Sequence, residues 1–186
     1  MNADLQGLLD REAIRECLFR YCRGIDRADE AALRSAYWED ATDCHGAWNG
    51  SATGFIDQAL LKLRKGGRRV HQVSNIAIEI HGDCAAVESA FLALQAPASA
   101  PHHETFLCGR YVDRFERRHG EWRIATRTVV YDWIEERDRP ELAHEDVRLF
   151  GRRQPNGSAA PSDPVYRLLD EMRTQPRSLG AHGSTR

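Results

Sequence analysis

The strongest constraint on the fold is a change in hydrophobic period after about residue 66. Before that point, apolar residues recur three or four positions apart, as on one face of an amphipathic helix. After it, apolar and polar residues alternate, as in a strand with one buried face. Helices followed by strands predict an α+β protein, with three helices packed on one side of a strongly curved sheet.

Three helices are predicted in the first part of the chain. The first has its N-cap at Asp10 and ends near Arg23. Asp29 caps the second helix, and Thr53 caps a third that two glycines stop. A short strand over residues 42–48 precedes the third helix. The apolar stripe of the first helix consists of Ile14, Cys17, Leu18, Tyr21 and Ile25.

Four antiparallel strands are predicted over residues 68–83, 84–95, 105–118 and 121–136. Turns at Gly82 and at Gly120 join them into two hairpins. Alternation in the last strand divides its residues between two faces. One face carries Ala125, Arg127, Val129, Tyr131 and Trp133, and the other carries Ile124, Thr126, Thr128 and Val130.

Composition excludes several classes of function. The formal charge of −2 gives no reason to expect a nucleic acid or an anionic membrane as partner. No stretch approaches the ~18 apolar residues of a membrane helix, and the acidic N-terminus does not resemble a signal peptide. The five cysteines are odd in number, scattered and without a CxxC pair, which favours reduced thiols. We therefore expect a cytoplasmic protein.

Two residues of "YCRGID", at 21–26, are unusual for an amphipathic helix. Tyr21 lies at the centre of the apolar stripe, so we expect it inside the fold. Asp26 follows five residues later, about 140° round an ideal helix. The two side chains would share a cavity only if the helix frays or turns near Gly24. Taken singly, Tyr21 is a core residue with a tethered hydroxyl and Asp26 a helix-terminal acid.

Arg127 and His71 are unusual in the strand region. Arg127 has apolar neighbours on its face, so it requires an acidic partner or an anionic ligand, unless it lies at a sheet edge and extends to solvent. His71 lies near the start of a strand. With Asp26 it would form an oriented general base, and Tyr21 and Arg127 would supply donors to a developing enolate. Removal of a proton α to a carbonyl needs such a set.

Several segments carry a resemblance to a known family. They are "DREAIRECLFRYCRGIDRAD" at 10–29, "YWEDAT" at 37–42, "GDCAAVES" at 82–89 and "GRYVDRFERRHGEWRIATRTVVYDW" at 109–133. Over residues 4–135 the chain resembles the SnoaL-like family of the nuclear transport factor 2-like fold, and its dehydratase-like members above all. The resemblance implies a domain over residues 1–136, built as a cone-shaped barrel of a mixed, mostly antiparallel sheet packed on three N-terminal helices.

The resemblance also implies roles for individual residues. The catalytic dyad falls on His71 and Asp26, the helix tyrosine on Tyr21 and the last-strand arginine on Arg127. Asp43 falls on a pocket position where an aromatic residue also occurs in the family. The candidate substrate-binding residues are Tyr37, Trp38, Asp43, Arg110 and Tyr131.

These roles imply a lyase without cofactor or metal, acting on a hydrophobic cyclic or aromatic molecule and releasing water, halide or formaldehyde. An isomerase or cyclase would use the same machinery. A different reading is a non-catalytic β subunit of an aromatic-ring dioxygenase, or a ligand-binding domain. The resemblance favours a homo-oligomer, a trimer before a dimer. His102, His103 and Glu104 are three adjacent metal-ligand types without a spaced partner, so we assign no metal site to them.

Residues 137–186 form a C-terminal extension with a weaker pattern. "RRQPNGSAAPSDP" at 152–164 is typical of a linker, and "PVYRLLDEM" at 164–172 predicts a short helix. We expect the last dozen residues to be disordered. The apolar "VYRLL" at 165–169 would anchor the extension against a neighbouring subunit.

Overall fold

Four helices and six strands make up the computed structural model, which describes residues 3–138 and 155–174. In chain order they are α1 (Ala3–Arg27), α2 (Glu30–Ala36), β1 (Tyr37–His45), β2 (Trp48–Ser51), α3 (Ala52–Leu63), β3 (Gly67–His81), β4 (Cys84–Pro97), β5 (His103–Arg118), β6 (Glu121–Asp138) and α4 (Pro164–Thr174). The predicted order of helices and long strands is confirmed. The single short strand predicted before α3 is in fact the hairpin of β1 and β2.

The six strands form one curved sheet in the order β2-β1-β6-β5-β4-β3. Strand β1 runs parallel to β6, and every other neighbouring pair is antiparallel. The predicted α+β class and the mixed, mostly antiparallel sheet are therefore confirmed. The sheet does not close into a barrel, because β2 and β3 remain its two edges.

Helix α1 packs inside the curve of the sheet and carries the predicted buried stripe. It begins at Ala3, so the prediction that Asp10 is its N-cap is wrong. Asp10 instead accepts a hydrogen bond from Trp122 Nε1 (2.9 Å) and forms an ion pair with Arg117 (3.1 Å). Both partners lie on strands that are distant in sequence. Asp10 therefore makes tertiary contacts and does not cap the helix.

The ends of α1 and α3 also differ from the sequence prediction. Helix α1 continues to Arg27 instead of ending near Arg23. Gly24 does not break it; a Cβ there would lie 2.7 Å from the Leu33 side chain, so glycine lets α2 pack closely. Asp29 caps α2 as predicted, accepting from the Ala32 N–H at 3.0 Å. Ser51 caps α3, not Thr53, and accepts from the Gly54 N–H at 3.1 Å.

Two β-bulges in β6 change which residues face the core. Ala125 and Asp132 are the extra residues, because Phe115 pairs with Ile124 but Arg114 with Thr126, and Gly109 pairs with Tyr131 but Cys108 with Trp133. A bulge exchanges the two faces of the strand beyond it. Ile124 is therefore fully buried beside Arg127, and Trp133 lies on the outer face, 61% exposed. The predicted placement of these two residues is wrong for that reason.

The described part of the C-terminal extension contacts its own chain. Tyr166 on α4 donates its hydroxyl to Asp29 at 2.9 Å, and Asp163 forms an ion pair with Arg27 at 3.2 Å. The Ala160 N–H also donates to the Arg27 carbonyl at 2.8 Å. The predicted terminal helix is confirmed. The start of the predicted linker and the last dozen residues lie outside the described residues, and packing against a second subunit stays a prediction.

Candidate active site

A cavity of about 640 Å³ opens between α1, α3 and the inner face of the sheet. Its walls combine aromatic and aliphatic side chains with a few polar ones. Tyr21 and Ile25 line it from α1, Phe55 and Leu63 from α3, and Leu107 and Tyr131 from the sheet. The size and the mixed lining are typical of a small-molecule site.

His71 and Asp26 form a tight pair at the wall of this cavity. His71 Nδ1 lies 2.7 Å from one oxygen of Asp26, and the His71 backbone N–H donates to the other oxygen at 3.0 Å. The two side chains are only 12% and 10% exposed. Asp26 therefore holds both the backbone and the ring of one residue.

This geometry selects one tautomer of the neutral imidazole. A carboxylate accepts only, so Nδ1 must carry the proton. Nε2 then has the free lone pair and is the nitrogen that can take a proton from a substrate. His71 lines the cavity, while Asp26 lies behind it and is absent from the lining.

The two unusual residues of α1 thus reach the site in different ways. Tyr21 contacts the cavity directly, and Asp26 reaches it only through His71. The helix does not need to fray at Gly24, because the 140° separation points Tyr21 and Asp26 at different partners. Burial raises the pKa of Tyr21 well above its ordinary value, so the phenol stays protonated.

Arg127 is fully buried and lies behind the cavity wall. Its guanidinium makes two hydrogen bonds to Asp113, at 2.8 and 2.6 Å, so the predicted acidic partner exists and the alternative of a solvent-exposed edge arginine is wrong. The guanidinium also lies 4.2 Å from the ring centre of Tyr21 and 4.1 Å from that of Tyr111. The cavity lining does not include Arg127, since these rings cover it.

Asp43 and Tyr37 form a second buried polar cluster. Tyr37 donates its hydroxyl to one oxygen of Asp43 at 2.6 Å. The other oxygen lies 3.6 Å from Nδ1 of His45, and neither atom has a hydrogen-bond partner among the described residues. Of this cluster only His45 lines the cavity, where its ring stacks on Phe55 at 4.5 Å.

Two further candidate substrate-binding residues, like Tyr37 and Asp43, do not line the cavity. Trp38 donates its indole N–H to the Glu116 carbonyl at 3.0 Å, and the guanidinium of Arg118 lies over its ring. Arg110 points to the outer face of the sheet, because its neighbour Gly109 takes the inner position, and it forms ion pairs with Asp132 and Glu88. Alternation along β5 separates Arg110 from the site. Tyr131, in contrast, lines the cavity.

The sequence profile of the SnoaL-like domain matches residues 6–128. The chain belongs to the SnoaL-like domain family. No curated protein matches its sequence.

Several solved protein structures share the fold of this chain. A hexachlorocyclohexane dehydrochlorinase of type 2 is 22% identical, with a TM-score of 0.66 over 73% of this chain and 93% of its own. A candidate scytalone dehydratase from Novosphingobium aromaticivorans is 20% identical, with a TM-score of 0.64 over 72% of this chain and 91% of its own. The beta subunit of a candidate aromatic-ring-hydroxylating dioxygenase from the same organism is 17% identical, with a TM-score of 0.56 over 70% and 94%. At these identities the likeness shows a nuclear transport factor 2-like fold.

Sequence reasoning missed most of the cavity lining of this SnoaL-like protein. It did not select His45, nor the α3 residues Phe55, Ala59 and Leu63, although their spacing of four places them on one helical face. It also missed Lys62 and Arg69, which line the cavity. The helical spacing could have identified the three α3 residues. Nothing in the sequence marked His45, Lys62 or Arg69 as cavity residues.

Other classes of site receive no support from the described residues. None of the helices described is long and apolar enough to cross a membrane. No group of three or more His, Cys, Asp or Glu side chains among residues 3–138 and 155–174 is arranged to hold a metal ion.

Proposed function

We propose that this SnoaL-like protein is a cofactor-independent lyase that eliminates a leaving group from a hydrophobic cyclic or aromatic small molecule. The observation that carries the proposal is the His71–Asp26 pair, closed at 2.7 Å in the wall of the cavity. An imidazole whose tautomer is fixed by a carboxylate, in the wall of a small-molecule cavity, meets the requirements of a general base.

In the proposed reaction, His71 Nε2 takes a proton from a carbon next to an acidifying group such as a carbonyl. The C–H electron pair forms an enolate and then a double bond as the bond to the leaving group breaks. Hydroxide leaves as water, or halide leaves as the anion. For loss of formaldehyde, the base takes the hydroxymethyl O–H proton, and the electron pair of the broken C–C bond stays on the ring carbon.

Tyr21 is proposed to stabilise the negative charge that develops on the substrate. It lines the cavity and its phenol stays protonated, so it can donate a hydrogen bond. Arg127 is proposed to act through Tyr21, because its guanidinium lies 4.2 Å from the centre of that ring and does not reach the cavity. It is a positioning residue in this account.

His45 is proposed to donate a proton to the leaving group. It is one of two imidazoles besides His71 that line the cavity, and Asp43 lies 3.6 Å from its Nδ1. The ring would give its proton to the departing hydroxide, which leaves as water. Tyr131 contacts His45 edge-on and is proposed to shape the substrate pocket.

Two alternatives differ in what the isolated protein would do. An isomerase or cyclase would use the same base but return the proton to another carbon of the substrate. A non-catalytic β subunit would require no cavity with an oriented histidine, and it would co-purify with a larger metal-bearing chain. The His71–Asp26 geometry favours the enzyme over the subunit.

We also propose that the protein forms a homo-oligomer, a trimer before a dimer. The outer face of the sheet exposes Val70, Leu92, Leu94 and Trp133, between 37% and 61%. Val70 pairs with Leu94, and Cys108 links Leu92 to Trp133, so the exposed side chains are contiguous. An apolar patch of this kind is typical of an interaction surface. Light scattering on the purified protein would give the mass directly.

The lyase proposal is tested with a panel of cyclic compounds that carry hydroxyl, chloride or hydroxymethyl groups β to an acidic C–H. Release of water, chloride or formaldehyde is measured with purified protein. We expect His71→Ala to lower kcat/KM by about 10²–10⁴-fold on any compound that reacts. The control is His81→Ala, at the exposed end of the same strand, which should react like the wild type. Equal loss in both variants, or none in His71→Ala, would contradict the proposal.

A further inference from the structure

The lining of the cavity has one sign of charge. It contains Lys62, Arg68 and Arg69 together with three histidines, and no aspartate or glutamate among the described residues. The chain as a whole carries 28 acidic and 26 basic residues, so this separation does not follow from composition. A cleft lined by one sign of charge concentrates ligands of the opposite sign.

Arg69 lacks the carboxylate partner that a half-buried guanidinium normally has. It donates to the Gly66 carbonyl at 2.7 Å and more weakly to the Leu63 carbonyl at 3.4 Å. Within the described part of the chain, no carboxylate lies within ion-pair distance of it. Burial lowers the pKa of Arg69, but arginine keeps its charge in proteins. By contrast, Arg34 and Arg110, whose side chains are 39% and 40% exposed, each pair with two carboxylates.

Lys62 adds a second cation at the mouth of the cavity. It lies in the last turn of α3, is exposed and lines the opening. The residues that the structure describes offer it no ion pair. Arg68 also lines the cavity, but it already donates to the Pro101 carbonyl at 2.8 Å. Lys62 and Arg69 thus line the cavity without a carboxylate partner among the described residues.

The position of Arg69 relates it to the proposed base. Arg69 and His71 are two residues apart on β3, and both line the cavity, so they share one face of the strand. Side chains with this spacing start about 7 Å apart. A molecule the size of one or two fused rings spans that distance. It could place an anionic group at Arg69 and a reacting carbon beside His71.

We propose that the substrate of this cavity is a cyclic or aromatic carboxylic acid whose carboxylate binds between Lys62 and Arg69. The proposal rests on the function proposed above, because it concerns the same cavity, but it can be tested by binding alone. Arg69 would hold the carboxylate through two parallel hydrogen bonds, and Lys62 would attract it from the mouth. The apolar walls would hold the ring.

The test compares 2-naphthoate with 2-naphthamide, which has nearly the same shape and no charge. Isothermal titration calorimetry on the full chain should show naphthoate binding at least ~10-fold more tightly, with a preference that shrinks as salt screens the charges. Arg69→Gln should remove most of that preference and leave naphthamide unaffected. Lys62→Gln should weaken naphthoate by about threefold. The matched control is Lys65→Gln, because Lys65 is the only other lysine and does not line the cavity.

Several outcomes would overturn the proposal. These are equal affinity for the two probes, no measurable binding of naphthoate, or a naphthoate preference that survives Arg69→Gln and Lys62→Gln together. Arg69→Lys should restore part of the preference, which separates charge from a loss of structure. Turnover of neutral compounds without any carboxylate preference would refute this inference while the lyase proposal stands. A carboxylate preference in binding without turnover of any compound would support this inference and contradict the lyase proposal.

Discussion

Three histidines line the cavity beside an aspartate, but only one of these pairs is both buried and closed, meaning within hydrogen-bond distance. His103 Nδ1 lies 2.8 Å from Asp138, yet these two side chains are 35% and 71% exposed. His71 Nδ1 is 2.7 Å from Asp26, which also accepts from the His71 backbone at 3.0 Å. His45 Nδ1 is 3.6 Å from Asp43, too far for a hydrogen bond. Asp43 is instead bound by the Tyr37 hydroxyl at 2.6 Å.

The difference shows how an imidazole becomes oriented. Asp43 and His45 lie two residues apart on β1, so strand geometry limits how closely their side chains can meet. The stacking of His45 on Phe55 further fixes its ring. Asp26 and His71 lie on α1 and β3, so packing between a helix and a strand sets their distance. The proposed base is therefore the histidine of the pair that packing between a helix and a strand assembles.

The largest expected effect comes from Asp26→Asn, which should keep the contact between the two side chains but reverse the tautomer of His71. The amide oxygen can still accept from the His71 N–H, but the amide NH₂ then faces Nδ1. Nδ1 must become the acceptor, so Nε2 is protonated and cannot act as a base. We expect kcat/KM to fall about 10²–10⁴-fold.

The matched control for that variant is Asp43→Asn in the open pair. Its amide oxygen can accept from Tyr37, and His45 does not depend on it for a hydrogen bond. The loss of rate should be less than about tenfold. Equal losses in the two variants would mean that closure of the His71–Asp26 pair has no special role.

The next largest effect concerns Asp113, whose carboxylate binds the guanidinium of Arg127 behind Tyr21. Asp113→Ala should leave the fully buried Arg127 without its partner, which costs about 3–5 kcal/mol of unfolding free energy. Urea denaturation measures the loss, and Asp113→Asn serves as a milder variant if the alanine variant does not fold. Asp57→Ala, which breaks an exposed pair with Arg34, should change stability far less. Similar losses for Asp113→Ala and Asp57→Ala would contradict a sealed ion pair.

The smallest effect should come from Tyr37→Phe, which removes the competing donor from the open pair. Asp43 then lacks a hydrogen bond in a buried site, which costs about 1–3 kcal/mol. His45 Nδ1 already lies 3.6 Å from this carboxylate, so we expect its ring to turn towards Asp43 and the pair to close. A change in the His45 ring ¹⁵N shifts would report this; unchanged shifts would show that Tyr37 does not keep the pair open.

Much of the fold could be predicted from the sequence, because the hydrophobic period of a segment reflects which of its residues are buried. The change of period gave the order of elements, and the apolar stripe of α1 is buried as expected. The faces of β6 could not be predicted, because a bulge adds one residue without leaving a pattern in the alternation. Ile124 and Trp133 were misplaced for this reason.

The candidate site was predictable only in part, for a similar reason. An arginine among apolar residues requires a partner, and the structure identifies that partner as Asp113. Asp10 looked like a cap because its partners, Arg117 and Trp122, are more than one hundred residues away, 107 and 112 respectively. His45 and Arg69 carry no local signal, since their role depends on which strands and helices meet around the cavity.

The most direct test of the account is the tautomer of His71, measured by long-range ¹H–¹⁵N NMR at a pH where the imidazole is neutral. His71→Gln assigns the signals. The account predicts a protonated Nδ1 and an unprotonated Nε2 in the wild type, and the reverse in Asp26→Asn. A wild-type His71 with its proton on Nε2, or one that exchanges freely between tautomers, would contradict the claim that Asp26 orients this residue as a base.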